Sequence, residues 1–406
     1  MNRGKMRTRI LHWYSDCLSG GSVANGVLGL AERQAHLGAE VVVAAAKPSG
    51  PSLYGPVEIR GRVHVVAWPP LWTRGFRGMV LRCVPPDAIR QLRAFRPDLV
   101  HVHGAFNPEN LWVRGLAGPP IVFSPHGGFH PDVFAKRRKL AKHLYFNIEK
   151  RLLHKRVRAF HALSPAEAVD IARLFTGRTV YCAPEASNIL AELSRMSERP
   201  PRPDDPVRYV FVGRLDVFTK GLDILLDAFA DAERRLQGRE VTLTLVGPDW
   251  RGSLRWLRRR TEELGIAHRV LLTGAVSRRE VASMLHQSDI YVQLSRHDGF
   301  PSSVSEALLA GKPVILSQAV GHASYPEVAS LPHVRVVPPT TTGAVEAMLD
   351  LSRRIGELEK IAEQHRTGVD NFFSWERIAG LHLETYKNIV AASPQQTQEV
   401  RQSVFP

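Results

Sequence analysis

The chain has 406 residues, of which 44% are hydrophobic and 23% charged, and these values are typical of a soluble globular protein with two or three domains. No run approaches about 18 consecutive apolar residues, so the sequence predicts no transmembrane helix. The net charge of +15 leaves three kinds of partner open: nucleic acid, an anionic membrane surface or an anionic small substrate.

The cysteines and the N-terminus exclude two further classes of protein. Cys17, Cys83 and Cys182 are odd in number and widely spaced, which argues against a disulfide framework and against a cysteine metal site. The first residues are basic but lack the apolar segment and the cleavage site of a secretory signal. We therefore expect a cytoplasmic protein.

The first half of the sequence alternates predicted strands and helices. An apolar run at 10–14 is followed by Ser-Gly-Gly-Ser, by a helical stretch that ends near Leu37, and by a strand that begins near Glu40. Further strands are predicted at 63–67, 99–103 and 121–124. This alternation predicts a parallel sheet with helices on both faces.

The second half repeats the pattern after a proline-rich break at 199–206. Its strands are predicted at 208–213, 241–246, 269–273, 290–294 and 313–317. We therefore predict two doubly wound domains, at 1–200 and 207–373, with ligands at the carboxyl ends of the strands. Residues 393–406, rich in Gln, Ser and Pro, are predicted to form a flexible tail.

The segment between the last two predicted strands carries the strongest candidate site. Its two carboxylates, Asp298 and Glu306, lie eight positions apart. The turn and the helix start between them consist of Gly299, Phe300, Pro301, Ser302 and Ser303. Amides at a helix N-terminus attract phosphate oxygens, and carboxylates accept hydrogen bonds from sugar hydroxyls. The segment predicts a nucleotide diphosphate site, although an ordinary strand-to-helix connection with a capping acid uses the same residues.

A second candidate element is the loop after the first strand of the second domain. Arg214 and Lys220 lie on this loop. A guanidinium and an ammonium a few residues apart can neutralise a diphosphate from two sides. Taken alone, such a pair is more often part of a solvated basic loop.

Together these segments resemble the nucleotide-sugar signature of GT-B glycosyltransferases, in particular the large retaining family 4. The resemblance rests on the 296–311 segment followed by Pro313-Val, and on Phe211-Val-Gly-Arg with Lys220-Gly. It implies an α/β protein of two Rossmann-like doubly wound domains that face a cleft, with the donor mainly on the second domain and the acceptor on the first. It also implies that the last helix, at about 374–392, packs back on the N-terminal domain.

The resemblance also implies roles for individual residues. Arg214 and Lys220 would stabilise the charge of the leaving diphosphate, while Glu306 would hold the ribose. Asp298 would hold sugar hydroxyls, and His126, in Ser-Pro-His-Gly-Gly, would complete the sugar pocket. Further donor contacts are implied for Gly20, Gly21, Gly299, Phe300, Pro301, Ser302, Ser303 and Val276. Because the family usually has Glu where this chain has Asp298, the sugar contact or the donor preference is expected to differ.

The implied reaction is the retaining transfer of a hexose-type sugar from a nucleotide-diphosphate sugar to a hydroxyl of a glycan or lipid-linked acceptor. No Asp-x-Asp motif lies at a predicted strand end, so we expect neither a metal nor another cofactor. A non-catalytic protein that binds sugar nucleotides or polysaccharides is the alternative. Gly20-Gly21 is not part of G-x-G-x-x-G, which disfavours a dinucleotide site, and no motif of a nucleic-acid-binding module is present.

Two further features admit more than one interpretation. The basic segment 136–158 is predicted to form one helix with an apolar stripe of Leu140, Leu144, Ile148 and Leu152, which we expect to pack on the core. Docking to anionic lipid headgroups, helped by the aromatic and arginine-rich segment 68–79, is the alternative and would place the protein peripherally on the inner face of the membrane. His101 and His103 alternate on one strand without a recognisable partner, and we interpret them as strand-end residues.

Overall fold

The computed structural model describes residues 8–48, 62–69, 71–73, 81–135, 139–196, 205–236 and 238–392. The chain divides into two compact units: Met1–Ala186 with Trp375–Pro406, and Ser187–Ser374. The division thus falls before the proline-rich segment at which the sequence suggested a boundary. Residues 199–204 of that segment and the predicted tail at 393–406 lie outside the described residues.

The first unit contains a parallel sheet of seven strands in the order β3-β2-β1-β6-β7-β8-β9, and β4 pairs with β5 in a separate antiparallel hairpin. The strands are β1 (Arg9–Trp13), β2 (Glu40–Ala46), β3 (His64–Trp68), β4 (Leu71–Thr73), β5 (Leu81–Cys83), β6 (Leu99–His103), β7 (Ile121–Ser124), β8 (Val157–Ala162) and β9 (Thr179–Cys182). Most described positions in β1, β2 and β6 to β8 are buried, as expected for a parallel sheet that helices cover on both faces.

Helices of the first unit connect these strands. They are α1 (Ser22–His36), α2 (Pro86–Ala94), α3 (Pro131–Ala135), α4 (Lys139–Leu152) and α5 (Pro165–Leu174). The start of α5 shows how local sequence fixes a helix end: Ser164 accepts a hydrogen bond from the backbone of Glu167, and Pro165 occupies the first turn.

The second unit contains a parallel sheet of six strands in the order β12-β11-β10-β13-β14-β15. The strands are β10 (Val207–Val212), β11 (Val241–Val246), β12 (Val270–Gly274), β13 (Ile290–Gln293), β14 (Val314–Ser317) and β15 (Val334–Val337). The helices are α6 (Leu190–Leu193), α7 (Leu222–Arg235), α8 (Ser253–Glu263), α9 (Arg278–Gln287), α10 (Ser302–Leu309), α11 (Pro326–Ala329), α12 (Thr341–Arg353) and α13 (Ile355–Phe372).

The final helix, α14 (Trp375–Ala391), belongs to the first unit. It packs against α1, where a methyl group on Gly29 would lie 2.3 Å from the Trp375 ring. Tyr386, near its other end, is fully buried in the core of that unit. Only a residue without a side chain lets the two helices approach this closely at Gly29.

The sequence-based prediction of two doubly wound parallel sheets is confirmed. Each predicted strand is present, and its ends either match or are shifted by one residue. Strands β8, β9 and β15 and the β4–β5 hairpin were not among the predicted elements. Among the described residues, no helix is long and apolar enough to cross a membrane.

Two expectations for the basic segment are wrong. The helix does not continue through Arg158, because Val157–Ala162 forms β8; residues 136–138 lie outside the described residues. The apolar stripe does not pack on the core either, since Leu140 and Leu144 are 88% and 66% exposed. The larger aromatic side chains of Tyr145 and Phe146 occupy the buried face of α4 instead.

Candidate functional site

The candidate site of the second unit lies at the carboxyl ends of two neighbouring strands, β10 and β13. The loops that follow these strands meet: the Arg296 amide donates to the Thr219 carbonyl at 3.0 Å. The Arg296 guanidinium also donates to both carboxylate oxygens of Asp223, each at 2.7 Å. A bidentate pair of this kind fixes geometry as well as charge, so the two loops hold a defined relative position.

This arrangement brings together two residues that the sequence selected separately, Lys220 and Asp298. The Lys220 ammonium forms an ion pair with Oδ2 of Asp298. The same oxygen accepts a hydrogen bond from Nε2 of Gln293 at 3.3 Å. Only 14% of the lysine side chain and 15% of the aspartate side chain are exposed. The pair is therefore a partly desolvated charge pair rather than a mobile surface contact.

Gly221 lets the backbone beside Lys220 come this close to the next strand. Its φ of +63° lies in the left-handed region, and a Cβ at this position would stand 2.1 Å from the carbonyl oxygen of Leu294. Any side chain would both strain the backbone and displace that carbonyl. The glycine that follows the candidate lysine is thus required by the packing of the two loops.

Arg214 lies on the same loop as Lys220 but has different partners. Its guanidinium carbon lies 4.1 Å from the centre of the Trp250 ring, and its NH2 nitrogen lies 3.9 Å from Oδ2 of Asp216. The stacking leaves 37% of the arginine side chain exposed, so the cation remains accessible. Among the described residues no hydrogen bond joins Arg214 to the Lys220–Asp298 pair.

The turn after Asp298 leads into α10 as predicted, with Pro301 directly before the first helical residue, Ser302. No side chain within the described residues caps this end, so the polarity of the first turn is not offset locally. Two predicted donor contacts have protein partners instead: the Ser303 hydroxyl is hydrogen-bonded to the Tyr291 hydroxyl at 2.8 Å, and Phe300 stacks on His322 with ring centres 3.7 Å apart. A ligand would therefore meet Phe300 through its backbone.

Glu306 lies one helical turn further along α10 and is buried. Its Oε1 accepts a hydrogen bond from Ser187 at 3.2 Å and lies 3.6 Å from the Arg278 guanidinium. Burial raises the pKa of this carboxyl, and the charge of Arg278 opposes the shift. Val276 directly precedes Ser277, whose capping box starts α9 and so positions Arg278.

The predicted residues of the first unit lie at strand ends as well. Gly20 and Gly21 connect β1 to α1 with φ values of +81° and +93°, which a residue with a side chain rarely adopts. His126 follows β7 and also has a positive φ, +51°. Its turn is held by Glu167, whose carboxylate oxygens accept from the amides of Gly127 at 2.5 Å and Leu163 at 2.7 Å.

His103 lies at the end of β6, as interpreted from the sequence, whereas His101 is the middle residue of that strand, and both have side-chain partners that the sequence did not reveal. Both belong to a buried set of hydrogen-bonded side chains, here called the histidine network: His12, Gln34, His101, His103, Ser124, His126, His161 and Tyr386. The strand register explains part of it, since His12 lies opposite His101, and His103 opposite Ser124. Burial lowers the pKa of every histidine in the network, so all five are neutral at pH 7.

The structure adds site residues that the sequence analysis did not select. Tyr291, Gln293 and Ser295 line one side of β13 and the residues after it, and their hydrogen bonds connect Ser303 to Asp298. Their signal was present in the sequence, because polar residues at every second position share one face of a strand. The contact of Trp250 with Arg214 had no comparable signal.

Comparisons with known proteins agree with this fold. The family model "Glycosyltransferase Family 4" matches residues 20–181, and the model "Glycosyl transferases group 1" matches residues 194–363. The two matches lie one after the other and together span most of the chain. The sucrose-phosphate synthase from Thermosynechococcus elongatus is 18% identical, with a TM-score of 0.71 over 95% of this chain and 100% of that chain, and this likeness concerns the fold.

Two similar sequences carry informative names. The MMP alpha-(1->4)-mannosyltransferase of Mycolicibacterium hassiacum is 28% identical over 45% of this chain, and the match spans 44% of that protein, which is less than two thirds of its length. The GDP-mannose:cellobiosyl-diphosphopolyprenol alpha-mannosyltransferase of Xanthomonas campestris is 23% identical over 80% of this chain and 83% of its own length. With its two parallel-sheet units and both family matches, the chain belongs to the family 4 glycosyltransferases of the GT-B fold.

Proposed function

We propose that the protein transfers a sugar from a nucleotide-diphosphate sugar to an acceptor hydroxyl, with retention at the anomeric carbon and without a metal ion. The observation that carries this proposal is the Lys220–Asp298 pair, which lies at the strand ends beside the uncapped first turn of α10. The name of the Xanthomonas relative, which includes GDP-mannose as the donor, supports a donor of this class.

In the proposed donor site, the cationic groups and the carboxylates bind different parts of the donor. Lys220, the first-turn amides of α10 and the accessible Arg214 stabilise the negative charge that grows on the leaving diphosphate. Asp298 accepts hydrogen bonds from sugar hydroxyls, and Glu306 accepts them from the ribose. Because Lys220 and Asp298 already contact each other, the phosphate and the sugar that each recognises would be bound side by side.

In this proposal the enzyme supplies no covalent nucleophile. The leaving diphosphate departs from the face that the acceptor hydroxyl approaches and takes up the proton of that hydroxyl. His126 contributes the sugar contact from the first unit, and Gly20-Gly21 permits close approach of the backbone to the donor. The positive charge of Lys220 and Arg214 would then serve where other glycosyltransferases use a divalent cation.

The proposed acceptor is a lipid-linked or polysaccharide intermediate. The name of the Xanthomonas relative includes such an acceptor, cellobiosyl-diphosphopolyprenol. The exposed apolar stripe on α4 also favours it: Leu140 and Leu144 project among basic residues, with Lys150 and Arg151 further along the same helix. An amphipathic basic surface of this kind binds anionic headgroups and inserts its apolar side chains between them.

Transfer is tested with radiolabelled α-linked nucleotide sugars and a membrane extract or polyprenyl-diphosphate saccharides as acceptors, in buffer that contains EDTA. We expect the wild type to form an α-linked product, and Lys220→Ala and Glu306→Ala each to lower kcat/KM by about a hundredfold or more, as for the loss of a charge-stabilising group. Lys360→Ala, an exposed residue of the same unit, is the control. Full activity in both site variants, or a β-linked product, would contradict the proposal.

Binding without turnover would instead favour the alternative of a non-catalytic sugar-nucleotide-binding protein.

Membrane docking is tested separately by sedimentation with vesicles of phosphatidylglycerol and phosphatidylcholine. Leu140→Asp combined with Leu144→Asp should abolish the salt-sensitive binding, whereas Val169→Asp, at a residue 50% exposed on α5, should retain it. Equal binding of the two variants would exclude α4 as the docking surface.

A further inference from the structure

Every member of the histidine network lies in the first unit, and its hydrogen bonds run in two chains. The first chain joins Gln34 Oε1 to His12 Nε2 at 2.8 Å, His12 Nδ1 to His103 Nε2 at 3.0 Å, and His103 Nδ1 to His126 Nε2 at 3.1 Å. It ends at Nδ1 of His126, which is buried and has no hydrogen-bond partner among the described residues.

The second chain starts at a group that can only accept, the backbone carbonyl of Ala183. His161 Nε2 lies 3.0 Å from this oxygen, so it must carry the proton, and His161 Nδ1 must accept. Ser124 therefore donates its hydroxyl proton to His161, over 2.6 Å. Its oxygen in turn accepts from Nε2 of His101, also over 2.6 Å.

The same argument determines whether the Tyr386 hydroxyl donates or accepts. Because His101 Nε2 carries a proton, the Nδ1 of this neutral ring accepts, and its partner at 2.5 Å is the Tyr386 hydroxyl. Tyr386 thus donates to His101, and its oxygen is left to accept from other groups.

The orientation of Gln34 then determines the first chain. Its Oε1 can only accept and lies 2.8 Å from Nε2 of His12, so Nε2 of His12 donates and Nδ1 accepts. His103 must donate from Nε2 to His12, and by the same argument His126 donates from Nε2 to His103. Each ring remains neutral because burial lowers the pKa of His12 to about 4 and of His126 to about 3. The remaining nitrogen, Nδ1 of His126, is left without a proton.

We propose that this network is a positioning device that fixes His126 in the tautomer protonated on Nε2, so that its Nδ1 can only accept a hydrogen bond. Gln34, His12 and His103 are positioning residues, because they act on the ligand only through His126. The ligand must present a donor to this nitrogen. If the proposed function is correct, on which this identification rests, the donor is a sugar hydroxyl, and a sugar lacking it leaves the acceptor unpaired.

The three rings of His12, His101 and His103 have nitrogens within 4.8 Å of one another, which also admits a metal site in principle. Each of their six nitrogens, however, has a hydrogen-bond partner within the network. A metal bound there would replace the hydrogen bond between His12 and His103. Gln34 would then no longer determine the tautomer of His126. Metal content is therefore one of the results that can overturn the proposal.

The test is the tautomer of His126, read from two-bond 1H–15N correlations of the full-length protein labelled with 15N-histidine at pH 7.5. The His126→Gln variant assigns the signals by their loss. We expect His126 to show a protonated Nε2 and an unprotonated Nδ1. In Gln34→Met, which keeps the length of the side chain but removes the amide, both nitrogens should shift toward the average of the two tautomers. Gln287→Met, at an exposed glutamine, is the matched control and should show the wild-type spectrum.

A wild-type His126 protonated on Nδ1, an unchanged His126 in a folded Gln34→Met variant, or one equivalent of zinc bound by the purified protein would each overturn the proposal. If Gln34→Met does not fold, His103→Phe interrupts the chain while keeping a planar ring, and the wild-type spectrum remains decisive alone. The spectra require no nucleotide sugar. Failure of the proposed function would appear as absent donor binding, and failure of this proposal as the wrong tautomer.

Discussion

The two units are both parallel sheets covered by helices, yet they place different chemistry at the carboxyl ends of their strands. In the second unit the strand ends carry ions: the Lys220–Asp298 pair and the contact of Arg278 with Glu306. In the first unit the corresponding region is filled by the neutral rings of the histidine network, whose members are largely or completely buried. One unit is organised by charge, the other by the direction of hydrogen bonds.

Under the proposed function, the difference is a division of labour. Phosphate groups are recognised by charge, which Lys220 and Arg214 would supply. A sugar hydroxyl is neutral and is recognised by the placement of donors and acceptors. A buried network of hydrogen-bonded side chains supplies such placement, because reorienting any one member would leave others unpaired.

The largest expected effect that separates the units is their response to acid. The pKa of the buried histidines lies below the ordinary value of 6.5, at about 4 for His12 and His161. Below pH 6.5 the unfolded chain therefore binds protons that the folded chain does not bind. Each such histidine lowers the free energy of unfolding by about 1.4 kcal/mol per pH unit, until the pH reaches its pKa in the folded state. Among the described residues such histidines number seven in the first unit and two, His322 and His333, in the second.

Two buried carboxyls of the first unit oppose this trend, because burial raises the pKa of Glu149 to about 8 and of Glu167 to about 7. They stabilise the protonated folded state below those values, but two groups do not offset seven. Hydrogen exchange measured between pH 7.5 and 4.5 should show the first unit losing protection before the second. Simultaneous loss, or earlier loss in the second unit, would contradict the comparison.

A smaller effect is expected where the two loops of the second unit approach each other. Gly221→Ala forces a side chain into a left-handed position 2.1 Å from a carbonyl oxygen, and we expect a loss of about 2–4 kcal/mol in the free energy of unfolding. Gly265→Ala is the control, since that residue has a similar φ of +73° but no neighbour within 4 Å, and it should cost about 1 kcal/mol. Urea unfolding measures both variants, and equal losses would show that the close approach is not important.

The smallest effect concerns Trp250, whose ring supports Arg214. A cation–π contact of this partly exposed kind contributes about 0.5–1 kcal/mol. Trp250→Leu should therefore lower kcat/KM for the nucleotide sugar roughly two- to fivefold. Trp112→Leu, at a residue 41% exposed in the first unit, should leave kcat/KM unchanged. A fall in kcat/KM much larger than this would assign Trp250 a role beyond holding Arg214.

Much of the fold and part of the site could be predicted because their signals are local. The strands around 290–294 and 313–317 were visible as short apolar runs, and the turn at Gly299–Pro301 as a break before a helix. Asp298 and Lys220 were selected from separate motifs, and the structure brings them together across 78 positions of sequence. Strand neighbours of this kind follow from the order of a parallel sheet.

The histidine network could not be predicted in the same way. Its partners are far apart in the sequence, with 285 positions between His101 and Tyr386, and a single histidine carries no sign of its partner. The prediction that the apolar stripe of α4 packs on the core was wrong for a different reason. The helical periodicity was correct, but periodicity does not say which of two apolar faces is buried. The larger side chains of Tyr145 and Phe146 are buried, whereas Leu140 and Leu144 are exposed.

The central claim is that the charged strand ends of the second unit bind the diphosphate donor. Thermal unfolding of the wild type and of Glu306→Ala, with GDP, UDP, ADP and their sugars at 1 mM, tests it most directly, because a ligand of the native state raises its apparent stability. We predict a rise in Tm with one nucleotide family for the wild type and its loss in Glu306→Ala. An equal rise in both proteins would place the nucleotide elsewhere and contradict the account.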